Sequence, residues 1–220
     1  MRTSLFAVAA ALALLTLPQL LVQAEEKPAA KPTEKAAEKS DWVQMWDGKT
    51  WKGWKIAENE KSFSIEDGAI VAHGTRAHAF YVGNDKPFKN FEFQCEVQTK
   101  TNSNAGIFIH TQWQEKDWPK IGYECQVNNT YNKDPQKTGG LYNTVKVLEA
   151  PAKDDVWFKY YIKVEGKHVT VKIDDKTVVD FEEPAGKEGT VKLSEGTFAL
   201  QAHDPGSVVM FRNLQVKRLP

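Results

Sequence analysis

The stretch Asn104-Ala105-Gly106-Ile107-Phe108-Ile109-His110-Thr111-Gln112 decides how the chain is read, together with Ile121-Gly122-Tyr123-Glu124-Cys125-Gln126-Val127-Asn128, which follows a loop holding Trp113 and Trp118. Both halves alternate, and successive side chains of a strand point to opposite faces. In the first half Ile107 and Ile109 share one face, with Gly106, Phe108 and His110 on the other. In the second, Tyr123, Cys125 and Val127 oppose Glu124 and Gln126. Paired as a hairpin, the two halves place an imidazole, a carboxylate and a carboxamide on one face beside two indoles, with an apolar reverse. Proton-transfer groups beside aromatic surface suit a sugar ring. The plainer alternative is an amphipathic sheet with a solvated outer face.

The same alternation runs outward in both directions. Phe63-Ser64-Ile65-Glu66, Asp67-Gly68 and Ala69-Ile70-Val71-Ala72 read as a hairpin with a type I′ turn. Phe91, Phe93, Cys95 and Val97 alternate with Glu92, Gln94, Glu96 and Gln98. From Trp157 to Phe181 three strands form a meander through the turns at Glu165-Gly166-Lys167 and Asp174-Asp175-Lys176. In Thr197–His203, Ala199, Gln201 and His203 share a face. A last strand runs from Val208 to Lys217, where Arg212 is out of phase with Val209 and Phe211. No sustained 3.6-residue apolar period follows residue 40. Short strands at regular spacing with Gly, Pro and Asp turns indicate an all-β antiparallel sandwich or barrel. No shift in composition divides 41–220, which reads as one domain.

Residues 1–24 have the pattern of an export signal: Arg2, an apolar run from Leu5 to Leu15, and Val22-Gln23-Ala24 as a small-residue cleavage site. That run is too short to favour a permanent membrane span. The segment predicts a periplasmic or extracellular protein with no membrane association after cleavage. Residues 25–40 contain Lys, Glu, Ala and Pro with no large apolar side chain and read as a disordered tether. The 220 residues balance 29 Lys+Arg against 29 Asp+Glu, which disfavours a nucleic-acid partner. Cys95 and Cys125 are predicted to be free. With the Ala105–Gln112 strand between theirs, they would lie roughly 9–10 Å apart, beyond disulfide reach.

An ordered set of short pieces resembles one family. It comprises Trp46-Asp47-Gly48-Lys49-Thr50 with Gly53-Trp54, Ile65-Glu66-Asp67-Gly68-Ala69-Ile70, Asn90-Phe91-Glu92-Phe93 and Asn104-Ala105-Gly106-Ile107-Phe108. Gly122-Tyr123-Glu124-Cys125-Gln126-Val127, Thr138-Gly139-Gly140-Leu141-Tyr142, Leu200-Gln201-Ala202-His203 and Val209-Met210-Phe211-Arg212-Asn213-Leu214 complete it. Over 41–220 this order resembles the 3-keto-disaccharide hydrolase family of exported bacterial proteins. The resemblance implies a concanavalin A-like jelly roll with a carbohydrate-facing sheet, and action on sugars oxidised at C3. Two positions depart from it: His110 stands where the family commonly has Arg, and Trp157-Phe158 where it often has Trp-Asn.

A ketone at C3 acidifies the C2 hydrogen, so a base can start an elimination that expels the group at C1, and water can then add back. This chemistry needs a base, an acid for the leaving oxygen and a stabiliser of the enolate. Glu124 or His203 is the expected base, the other serving as acid or orienter, with His110 as a third catalytic candidate. Gln126 and Gln201 are expected to bind hydroxyls, Arg212 to hold negative charge, and Trp113, Trp118 and Tyr142 to stack on sugar. A divalent metal on His110, Glu124 and His203 is an open alternative. The implied substrate is an oligosaccharide or glycoside, supplied by a sugar 3-dehydrogenase. A non-catalytic carbohydrate-binding module is the competing function, since fold does not fix function. An ordinary retaining or inverting glycosidase is disfavoured, because Gln94 stands between Glu92 and Glu96 where a central acid is needed.

Overall fold

The computed structural model describes residues 41–220; the export segment and the tether lie outside the described residues. The described residues form thirteen strands: β1 (Val43–Gln44), β2 (Trp54–Glu58), β3 (Phe63–Glu66), β4 (Ala69–His73), β5 (Ala77–Tyr81), β6 (Phe91–Thr99), β7 (Ala105–Thr111), β8 (Tyr123–Val127), β9 (Phe158–Glu165), β10 (His168–Ile173), β11 (Lys176–Glu182), β12 (Thr197–Ala202) and β13 (Val208–Arg218). Among the described residues the helical content is one 3₁₀ turn, Glu60–Ser62, so no helix is long enough to cross a membrane. The larger sheet runs β11-β10-β9-β6-β13-β4-β3, with β1 also on β13, and the smaller runs β2-β5-β12-β7-β8. Every pairing is antiparallel. Two packed antiparallel sheets make the jelly-roll sandwich expected from the alternation and the resemblance.

The turn chemistry follows the sequence closely. Asp67 and Gly68 have φ of 47° and 72°, the pair of positive values that a type I′ turn between β3 and β4 requires. Between the sheets lie the odd-numbered residues of β6 (Phe91, Phe93, Cys95, Val97) and, facing them, Ile107, Ile109, Tyr123, Cys125, Phe198 and Leu200. Phe198 sits 4.8 Å from Phe91, 4.9 Å from Phe93 and 5.0 Å from Phe88, ring centre to ring centre. Such pairs contribute roughly 0.5–1.5 kcal/mol each beyond the area they bury.

Two features differ from the expectation. β6 belongs to the larger sheet and β7 and β8 to the smaller, so no strand separates the cysteines in one sheet; they come from opposite sheets. Cys95 and Cys125 are nevertheless free and fully buried, and burial pushes both thiols up. The second difference is a bulge. Thr197 pairs with Thr111 but Ala199 with Phe108, so β7 carries one more residue than β12 over that interval. His110 takes up the slack at φ 54°. Two glycines fit against the bulge: a Cβ at Gly122 would lie 2.0 Å from Ile109 O, and one at Gly196 2.3 Å from Thr111 O.

Candidate active-site cleft

On the outward face of the smaller sheet the alternation sets Glu124 opposite Phe108, Phe108 opposite Ala199, and Ala199 opposite Phe80. The next row holds Gln126 opposite Gly106, and Gln201 opposite His78. Over the β7–β8 end of this face opens a cleft of about 620 Å³, within the usual range for small-molecule sites. The sheet contributes Phe108, Glu124, Gln126 and Gln201, and His203 follows directly after β12. The loop after β8 is stitched along that strand by Tyr142 N–H to Glu124 O (2.9 Å), Gln126 N–H to Gly140 O (2.9 Å) and Gly139 N–H to Gln126 O (2.9 Å). Gly139 makes the last of these at φ 89°. This brings Asp134, Tyr142 and Asn143 to one wall. Trp118 and Lys187 come from the β7–β8 and β11–β12 loops.

Glu124 lies across its neighbour strand. A Cβ at Gly106 would meet Glu124 Oε1 at 2.4 Å, so the carboxyl folds over the glycine of β7. There Gln201 on β12 donates Nε2–H to Oε1 at 3.0 Å. Burial raises the Glu124 pKa to about 8 against the lowering effect of that bond, and Asp134 adds to the rise. His203 Nδ1 bonds Asp204 Oδ2 at 2.8 Å. Burial works to raise the Asp204 pKa, but bonds from His203, Ser207 and Gly206 outweigh it and hold the carboxyl below its ordinary value. With Asp204 on Nδ1, Nε2 has no hydrogen-bond partner among the described residues. Ser207 Oγ also accepts the N–H of Asn104, another cleft residue, so both sides of this corner share one anchor.

Of the residues expected at the site, Glu124, His203, Gln126, Gln201, Trp118 and Tyr142 line one cleft. Three expected residues do not. His110 is turned between the sheets by the bulge, where Nε2 bonds Lys89 O (2.9 Å), Nδ1 accepts the Ser194 N–H (3.1 Å), and the ring stands edge-on to Phe91. Arg212 is on the outer face of the larger sheet, paired with Glu96 at 2.5 Å and stacked 4.0 Å from the Trp157 ring centre. Trp113 sits beside a separate hollow, edge-on to Phe80, with Lys55 Nζ 3.9 Å from its ring centre. The metal set His110, Glu124 and His203 is therefore not assembled. No cluster of three such ligands occurs among the described residues.

Sequence reading gave no role to Asn104, although it is in phase with Gly106 and Phe108, and missed Asp134, Asn143 and Lys187, which come from segments without periodicity, and Asp204, which orients His203. It also gave Gly106 no role, although a glycine inside an alternating strand signals a close approach. Glu183, buried in the core, takes bonds from Tyr123 Oη (2.8 Å), Lys167 Nζ (2.7 Å) and the Leu193 N–H (2.7 Å), and holds the β11–β12 loop in place.

Comparison with known proteins agrees with this architecture. Two structures from Parabacteroides distasonis ATCC 8503, each titled a "putative glycosyl hydrolase", share the fold. One has a TM-score of 0.68 at 23% identity, covering 81% of this chain and 94% of its own. The other has a TM-score of 0.62 at 20% identity, covering 81% and 99%. The carbohydrate binding module CBM66 from Bacillus subtilis matches with a TM-score of 0.54 at 14% identity, over 75% of this chain and 95% of its own. A search of curated proteins finds no match. Residues 41–217 match the family described as 3-keto-alpha-glucoside-1,2-lyase-like domain, and the chain belongs to that family.

Proposed function

We propose that the protein cleaves the glycosidic bond of 3-keto-glycosides or 3-keto-disaccharides by elimination followed by hydration. The observation that carries this reading is the Glu124 carboxyl, laid over Gly106 and held by Gln201 in the cleft that His203 also lines. A base is most useful with a pKa near the working pH, and burial has moved this carboxyl to about 8. In its ionised form Glu124 takes the C2 proton. The C–H electron pair forms the C2=C3 enolate, with the charge on the ketone oxygen, where Lys187 supplies the cation that the sequence had assigned to Arg212. Return of that pair re-forms the ketone, makes the C1=C2 double bond and breaks the C1–O bond. The leaving oxygen takes a proton from His203 Nε2 in its imidazolium form, with Asp204 fixing the ring through Nδ1. Water then adds its hydroxyl to C1 and gives its other proton to His203 Nε2, restoring the imidazolium, while Glu124 returns its proton to C2. Gln126 and Asn143 face the hydroxyls, and Trp118 and Tyr142 offer ring faces.

The ketone has to be made first, so a sugar 3-dehydrogenase is the class of enzyme that supplies the substrate. We further propose that the reaction takes place in the periplasm or outside the cell, on the export pattern of residues 1–24 alone. Incubating the purified protein with 3-keto-trehalose, with and without chelator, tests the reading. Release of glucose or of a 2-hydroxy-3-keto-glucal supports it. Measurable affinity without any product favours a carbohydrate-binding module instead.

A further inference from the structure

The cleft ends at Trp118, and behind Trp118 lies His78, to which the reaction above gives no part. His78 is on β5, 1% exposed, and neither ring nitrogen has a hydrogen-bond partner among the described residues. Its cross-strand neighbour Gln201 spends Nε2 on Glu124 and leaves Oε1 equally buried and unpartnered. Two such side chains adjacent on one sheet face are uncommon, because each unmet group costs about 1–3 kcal/mol. Phe108 of β7 stands edge-on to the His78 ring at 5.5 Å, and a loop side chain completes the cover over it. Trp118 packs 5.6 Å from the His78 ring and 5.4 Å from the His203 ring. The loop is tied down by polar contacts: Arg76 Nη2 to Asp117 Oδ1 at 3.3 Å, and the Arg76 guanidinium 5.3 Å from the Trp118 ring centre. Arg76 is fixed in turn by Glu58 at 2.8 and 3.0 Å. Trp118 is 41% exposed and forms no part of the core between the sheets.

Accepting the cleavage reading, we propose that His78 and the free oxygen of Gln201 form a subsite for the leaving group, uncovered when Trp118 swings aside, and that the group it takes is a second sugar ring. The chemistry fits hydroxyls. A neutral imidazole offers one donor and one acceptor, and the carboxamide oxygen adds an acceptor. Burial lowers the His78 pKa to about 3, so the ring stays neutral at any working pH. The position fits the leaving group, because Gln201 both belongs to this unpartnered pair and holds the carboxyl that starts the reaction. A site built to pair with hydroxyls discriminates strongly against a ligand that lacks them.

The test compares 3-keto-trehalose, whose leaving group is a sugar, with methyl 3-keto-glucoside, whose leaving group is not. Binding of both is measured by calorimetry in full-length Glu124→Gln, and again with His78→Leu or His78→Asn added. The expected result is a preference for 3-keto-trehalose that falls about tenfold or more in His78→Leu and is partly kept in His78→Asn. The melting temperature of His78→Leu should stay level or rise, since an unpaired polar group is replaced by an apolar one. An unchanged preference, equal weakening of both ligands, or no preference to begin with would overturn the subsite. Wild-type turnover is read separately. Turnover without a His78-dependent preference keeps cleavage and removes the subsite, while the preference without turnover does the reverse.

Discussion

A methyl group at Gly106 would come within 2.4 Å of Glu124 Oε1 and 2.8 Å of its Cγ. Gly106→Ala should therefore leave the strand intact and push the carboxyl off Gln201. A displacement of about 1 Å at a reacting group costs on the order of 10²-fold in rate. The variant should show that loss in kcat/KM with a near-normal melting curve. On the proposed mechanism Glu124→Gln removes the base and should lower kcat by at least about 10²-fold while sugar affinity survives. The raised pKa of Glu124 has two further consequences. As pH rises through about 8 the carboxylate forms, so exchange of a C2 deuterium label with solvent, the step that needs Glu124 alone, should speed up along a limb centred there. Stability moves the other way. The folded protein keeps this proton up to about pH 8, whereas the unfolded chain gives it up near pH 4.5, so the contribution is complete below pH 4.5 and is lost as pH rises through 8. Glu124→Gln should lack that decline, which denaturant titrations at pH 5 and pH 9 measure directly.

At the scale of single elements, the β7 bulge separates what the sequence could tell from what it could not. Alternation places Phe108 and Glu124 correctly, and β12 obeys it from Ala199 through Gln201 to His203. It fails at His110, because one extra residue reverses the phase and the imidazole points between the sheets. The signal that was available is the pair Gly122 and Gly196, whose hydrogens are all that fits against the bulged backbone. His110 is thus a buried structural residue with two hydrogen bonds and an aromatic contact. His110→Ala should cost about 2–4 kcal/mol in urea unfolding, with activity per folded molecule retained. Arg212 misled for another reason: alternation gives a residue's face but not its sheet. Its ion pair with Glu96 is more than a third exposed on both sides. Arg212→Ala should accordingly change stability by no more than about 1 kcal/mol and leave turnover untouched, and a change in kcat would contradict its placement.

For the whole molecule, the sandwich was legible because period-two patterning and Asp-Gly turns are local properties, and the two sheets follow from the need to bury one face of each strand. The assignment of strands to sheets was not, since it depends on pairings between segments far apart in sequence, such as β6 with β13 and β12 with β5. For the same reason half the cleft was invisible. Asp134, Asn143 and Lys187 reach it on loops positioned by hydrogen bonds to β8 and by the Glu183 anchor, which leave no periodic trace. What the assembled molecule offers is a half-buried carboxyl with a raised pKa and an Asp-oriented imidazole lining one sugar-sized cleft. The most direct measurement follows a 3-keto-disaccharide carrying deuterium at C2 with wild-type protein and with Glu124→Gln. The expected result is slower release of the leaving sugar from the deuterated substrate and loss of the label to solvent with wild type, and neither cleavage nor exchange with the variant. Cleavage with the label retained, or at an undiminished rate in Glu124→Gln, would contradict proton abstraction by Glu124.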